Sequence, residues 1–144
     1  MSTKGRYGLR VMMELAARWG HGPVLAETIA KNQDISEKYI RVLAGMLRTA
    51  GLVRTVRGRS GGYELARAPA SITALDVISA LEGRNVLVDC VLDAGSCPRA
   101  DRCAARDVWC DVASAVNGVL SGLTLDQLSA KQRAKADESP SYCI

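Results

Sequence analysis

The chain has 144 residues, 48% of them hydrophobic and 24% charged, with a formal net charge of +4. That is enough for one domain, or a small domain plus an extension, and its core must be built from Leu, Val, Ile, Met and Ala because Phe is absent. No run of about 18 apolar residues exists to span a bilayer, and MSTKGRYGLR lacks the apolar stretch of a secretory signal. A cytoplasmic setting is expected, where clustered cysteines serve as reduced thiols or metal ligands rather than disulfides.

Leu9, Met12, Met13, Ala16 and Trp19 recur near the helical period and predict a first helix over residues 4–19. Arg6, Arg10, Glu14 and Arg18 form a second stripe, read as a solvated face with weak ion pairs. Gly20, Gly22 and Pro23 end the helix, and His21 lies in that loop. A second helix covers 26–32, with Ile29 and Ala30 inward, and a polar turn follows at Asn32-Gln33-Asp34. Ser36 is a good N-cap for a third helix over 37–50, whose buried side is Ile40, Leu43, Ala44 and Leu47. Gly51 suits the left-handed position past its end.

Leu52, Val53 and Val56 read as one strand and 63–66 as another, joined by the basic tip Arg57-Gly58-Arg59-Ser60-Gly61-Gly62. Two short helices, a longer one and a hairpin describe a winged helix-turn-helix. A further helix over 71–82 presents Ile72, Leu75, Val77 and Ile78 and stops at Gly83. The expected organisation is therefore mainly α. A DNA-binding domain spans 1–83 and a cysteine-bearing loop 84–103. A long helix and a short terminal helix occupy 104–130, and a mobile polar tail 131–144. The long helix is predicted from about 102 to 120. Its apolar set of Ala105, Val108, Trp109, Val112, Ala115, Val116, Val119 and Leu120 is too wide for one small neighbour, which calls for a dimer interface. Thr124-x-x-Gln127 is a capping box for the terminal helix.

Charge is unevenly divided. Residues 1–67 carry 12 Lys and Arg against 5 Asp and Glu, whereas 68–144 carry 7 against 10. The basic half is suited to a polyanion. A recognition helix would present Ser36, Lys38, Tyr39 and Arg41 to a major groove, Arg to a guanine edge and Lys to phosphate. Glu37 is read as a partner of the helix dipole. The tip residues Arg57, Arg59, Ser60 and Gly61 would approach the backbone or a minor groove. A symmetric dimer would set two such helices about 34 Å apart, or a multiple of it, on a palindromic operator in double-stranded DNA. Nothing in the sequence pairs a histidine with a nucleophile, so catalysis is not expected.

Cys90, Cys97 and Cys103 are separated by six and five residues. Structural zinc sites favour tighter knuckles, and thiolates on a looser loop suit an iron–sulfur cluster. Cys103 is expected in the first turn of the long helix, behind Asp101 as cap. Cys110 lies two turns further on, about 10 Å of rise, and reads as part of the apolar face. Cys143, in the tail, reads as a bystander.

TKGRYGLRVMMELA, ISEKYIRVLAGMLRTAGLV, VRGRSGGYELAR, ITALDVISALEG and the three-cysteine loop followed by Trp109 resemble one family of bacterial regulators. It is the family of the iron–sulfur cluster regulator IscR, the nitric-oxide sensor NsrR and the cysteine-metabolism repressor CymR, with IscR as the nearest in kind. The resemblance covers all but the tail. It implies a homodimer and a cluster, [2Fe–2S] before [4Fe–4S], held by Cys90, Cys97 and Cys103 near the dimer interface. IscR-like members take a fourth ligand from a histidine three residues past the third cysteine, where this chain has Arg106. NsrR-like members take an aspartate from the partner's first helix, where this chain has Arg6. Asp107 is the first choice for the fourth ligand; Glu14 from the partner chain, Cys110 or a small exogenous ligand are the others. IscR-like members also carry a glutamate where this chain has Arg41. The function implied is a regulator sensing iron–sulfur or redox status and controlling cluster-assembly or sulfur-metabolism genes. The alternative is a cluster-free thiol or cysteine-availability repressor acting with a partner enzyme.

Overall fold

The computed structural model describes residues 2–83 and 89–138. Residues 84–88, which open the expected cysteine loop, and 139–144, with Cys143, lie outside the described residues. In chain order the elements are α1 (Thr3–Ala17), α2 (Ala26–Gln33), α3 (Glu37–Thr49), β1 (Val53–Val56), β2 (Gly62–Leu65), α4 (Ala74–Glu82), α5 (Asp89–Leu92), α6 (Ala104–Ser121) and α7 (Leu125–Glu138). Short 3-10 turns occur at Pro69–Ser71, Ala94–Ser96 and Ala100–Arg102. This is the expected mainly α winged helix.

α1 begins where the Ser2 hydroxyl accepts from the Lys4 amide at 3.1 Å. Its buried face is Gly5, Gly8, Val11, Met12, Leu15 and Ala16, while Trp19 lies outside the helix and is exposed. Of the expected set, Met12 and Ala16 are buried and Leu9 and Met13 pack half-buried against the core, so Trp19 alone falls outside it. Here the packing uses the missing side chains of two glycines. A Cβ at Gly8 would overlap Leu81 Cδ1, and one at Gly5 would stand 2.5 Å from Glu82 Oε1. α1 and α4 therefore pack closely, and around them Ile29, Ile40, Leu43, Leu47, Leu65 and Ile72 complete one core.

α4 starts three residues later than expected. Thr73, not Ser71, opens it: its hydroxyl accepts from Asp76 N at 3.1 Å while the Asp76 carboxylate accepts from Thr73 N at 2.9 Å. The strand-like segment before α4 then pairs with the segment before α7. Ala74 N donates to Leu123 O at 2.8 Å and Leu125 N to Ile72 O at 2.9 Å. Gln127 accepts from the Thr124 amide at 3.1 Å, one half of the anticipated box. Leu125 is fully buried in the common core, and Ser129 Oγ donates to Met13 O at 3.3 Å. α7 continues to Glu138, past the point where a mobile tail was expected. Polarity suggested that tail, yet Lys, Gln, Arg and Ala are good helix formers. A helix already nucleated by a docked first turn extends through them cheaply.

α6 starts at Ala104, so Cys103 is its N-cap rather than a first-turn residue, and makes no side-chain cap bond. Only Ala113 of this helix is buried. Trp109, Val112, Val116 and Val119 stay exposed, at 41, 38, 38 and 64%. With Ala105 they follow the alternating four-three spacing of a coiled-coil seam.

Two predictions follow from the α1–α4 contact. Gly8→Ala forces a methyl onto Leu81, and overpacking of this kind costs about 1–3 kcal/mol; a lowered urea midpoint at unchanged slope will show it. The second concerns Glu82, whose Oε1 accepts from Ser2 N at 2.6 Å and from Gly5 N at 3.1 Å. Burial pushes this carboxyl up, but the bonds from Ser2 and Gly5 outweigh it and hold Glu82 below its ordinary 4.5. A depressed folded value means the stabilisation is complete above the unfolded value and lost as pH falls through the folded one. Glu82→Gln will therefore lower stability at neutral pH and flatten its decline on the acid side, as read by urea melts across that range.

Candidate nucleic-acid interface and thiol loop

The turn between α2 and α3 is set by Asp34, whose φ of 53° is the left-handed conformation that Asp tolerates better than most residues. Ile35 N returns to Ala30 O at 3.1 Å and its side chain is buried. Ser36 Oγ then accepts from Tyr39 N at 3.3 Å and starts α3, as the sequence indicated. Ile40, Leu43, Ala44 and Leu47 are buried, which leaves Ser36, Lys38, Arg41 and Val42 exposed on the opposite side. Tyr39 is only half-exposed, and its ring meets Tyr7 edge-on at 6.1 Å. The guanidiniums of Arg6 and Arg10 lie over the same Tyr7 ring at 5.1 and 5.6 Å. Arg41 donates to Glu37 one turn earlier. The bond to Glu37 and its charge raise the Arg41 pKa, with a smaller contribution from Tyr63.

In the hairpin, Val53 pairs with Leu65 and Val56 with Gly62, and Arg54 meets Glu64 across the strands at 2.8 Å. The tip residues Arg57, Gly58, Arg59 and Ser60 are exposed. Gly61 is buried at the base of the turn, its N–H donating to Gly58 O at 3.0 Å and its Cα against Val56 O. It shapes the tip rather than presenting a surface.

Sequence reasoning missed a third strand position. Val24 N donates to Tyr63 O at 2.8 Å, and Tyr63 N to Val24 O at 2.9 Å. Gly62 has φ 150°, and a Cβ there would overlap Val24 O. The glycine pair before Tyr63 was the available signal. Also missed was the clamp between α1 and α2. Arg10 donates to the Gln33 side chain at 3.1 Å and to its carbonyl. Glu14 accepts from Asn32 at 2.7 Å and Gln33 at 2.9 Å. The stripe expected to be merely solvated thus holds the helix that precedes the turn, and both Glu14 oxygens are engaged within its own chain. A groove of about 420 Å³ opens beside this clamp, between α1, α2 and α7.

Cys90 lies on α5, Cys97 follows the 94–96 turn, Cys103 caps α6 and Cys110 is on α6; all four are free and half-buried. Arg106 Nε donates to Cys90 O at 2.8 Å and ties the loop to α6. Asp107 sits exposed in the first turn of α6. Three thiols and a nearby carboxylate are donors of the kind an iron–sulfur cluster takes. Among the described residues of this single chain, no three His, Cys, Asp or Glu side chains are grouped to hold a metal ion. Among the described residues, too, no helix is long and apolar enough to cross a membrane.

Residues 1–131 match the Rrf2 family, described as iron-dependent transcriptional regulators. The chain is 42% identical to the transcriptional regulator CymR of Bacillus subtilis, over 90% of this chain and 89% of that one. The solved structure of that protein, named as the global cysteine regulator, superposes with a TM-score of 0.77 at 41% identity, covering 91% of this chain and 96% of the other. The regulator IscR of Escherichia coli is 35% identical over 92% of this chain and 81% of its own. The T. potens IscR structure gives a TM-score of 0.78 at 37% identity, over 99% of this chain and 93% of that one.

Proposed function

This chain belongs to the Rrf2 family of transcriptional regulators, and on that footing we propose a homodimer, not an enzyme, that reads a palindromic operator in double-stranded DNA. The carrying observation is the union of helix and wing. Lys38 and Arg41 stand exposed on α3, and Arg57 and Arg59 on the wing tip. The Val24–Tyr63 bridge fixes the wing to the start of α2. Ser36 and Ser60 add hydroxyl donors, and Tyr39 supports from behind through Tyr7. The exposed seam of α6 supplies the apolar surface for a second copy. Full-length protein will bind duplex DNA with an affinity that falls steeply with salt. Arg57→Ala with Arg59→Ala will weaken it across all sequences and reduce the log–log salt slope by about 2. A slope unchanged by the double substitution would remove the wing from the interface.

The control element in this reading is the loop of Cys90, Cys97 and Cys103. Three thiols on one short segment, in a family described as iron-dependent, support an iron–sulfur cluster, [2Fe–2S] before [4Fe–4S]. The regulated genes would then be those of cluster assembly or sulfur metabolism. Of the candidates for a fourth position, Asp107 and Cys110 remain, since Glu14 is engaged by Asn32 and Gln33. A second reading is favoured by the lack, among the described residues, of side chains grouped to hold a metal ion and by likeness to a protein named a global cysteine regulator. It is a cluster-free sensor of thiol state or cysteine availability, acting with a partner enzyme. Anaerobic purification decides between them. Visible absorbance with bound iron and sulfide, lost in each of Cys90→Ala, Cys97→Ala and Cys103→Ala, supports the cluster. Colourless, iron-free wild-type protein that still binds its DNA supports the second reading.

A further inference from the structure

We propose that Glu37 is a positioning residue that pre-aims Arg41 at a guanine edge, and that Val42 beside it meets a thymine methyl. Each operator half-site would then hold a G·C pair with a thymine next to it. The inference rests on the reading that α3 enters the major groove.

The outer face of α3 runs through Lys38, Arg41, Val42 and Gly45, spaced as neighbours on one side of a helix. On it, Arg41 Nη2 is bonded to Glu37 Oε1, with the two side chains 63 and 43% exposed. An isolated pair so open to water adds little to stability. Its effect is on the guanidinium itself. A free arginine samples many rotamers and must surrender that freedom on binding; one braced by a carboxylate has surrendered part of it already. Glu37 occupies one side of the fork and leaves the other N–H groups for the O6 and N7 of guanine. The same carboxylate repels phosphate, which is the competing target for any exposed arginine.

Val42 is 51% exposed in the middle of this charged face. The methyl of thymine is the apolar feature a major groove offers. Gly45 continues the stripe with no protein atom within 4 Å of where a Cβ would stand. Glycine is a poor choice inside a helix, and no internal neighbour requires it here. It leaves α3 flat beyond Val42, where the wall of the groove would approach.

The test uses the full chain and a randomised duplex library, followed by fluorescence anisotropy on the selected half-site and its single-pair variants. Wild type will select one G·C pair whose replacement weakens binding about tenfold. Arg41→Ala will lose that discrimination and Glu37→Ala will lose most of it while binding unselected duplex more tightly. The double variant will lose no more than Arg41→Ala alone. Glu37→Gln, which keeps an acceptor, will restore part of it. Replacing the selected thymine by uracil will weaken wild type but leave Val42→Ala indifferent. Full discrimination retained by Glu37→Ala overturns the bracing role, and equal response of wild type and Val42→Ala to uracil overturns the methyl contact. Wild type that binds no duplex at all sinks the groove reading itself, and this inference with it. Circular dichroism of each variant confirms the fold, which these exposed side chains do not support.

Discussion

The close approach of two backbones at Val24 and Gly62 is the constraint on which the reading surface depends. A hairpin of two four-residue strands is marginal in water by itself. Here it gains a third partner through two reciprocal hydrogen bonds between Val24 and Tyr63. Only a residue without a Cβ permits that contact, because any side chain at Gly62 would occupy the place of the Val24 carbonyl. Val24 lies one residue before the N-cap of α2. The wing and the helix-turn-helix are therefore one body rather than a helix pair with a loose appendage.

What was legible in the sequence was what local chemistry encodes. Ser36 announced the start of α3, the Ile40–Leu43–Ala44–Leu47 stripe its buried side, and Gly51 its end, where φ is 72°. Contacts made by absence were harder to see. Gly5 and Gly8 carry no hydrophobic signal, yet they decide which face of α1 meets α4. The Val24 bridge involves a single residue and has no period to detect. The length of α7 was hidden for another reason: polarity and helix propensity point in opposite directions across 131–138, and docking of Leu125 settles the matter.

The thiol loop marks the limit of reasoning from spacing. Spacing places Cys90, Cys97 and Cys103 on one segment but says nothing of where their sulfurs converge. In the folded chain they are distributed over α5, the residue after the 94–96 turn and the cap of α6. Arg106, three residues past Cys103, holds the Cys90 carbonyl. A cationic side chain cannot donate an electron pair to iron. Its role in this chain is mechanical, joining the loop to the helix that carries the exposed seam.

That junction makes α6 a strut with both ends attached. At its start, Cys103 is the cap and Arg106 grips the loop. Past its end, Leu123 and Leu125 are stitched by backbone bonds to Ala74 and Ile72, and α7 lies against α1. Both ends of the seam are thus tied, one to the thiols and the other to the reading head. In the proposed dimer joined along this seam, a change in how the loop holds the start of α6 would alter the angle at which two heads meet one duplex. Such a change regulates only if loop chemistry and DNA prefer different angles, and the preference must then be reciprocal. DNA that selects one geometry must shift the equilibrium constant of the loop chemistry by the same factor by which that chemistry shifts DNA affinity. The fold supplies the connection, and the sign of the coupling follows from which loop state the operator-bound dimer accommodates.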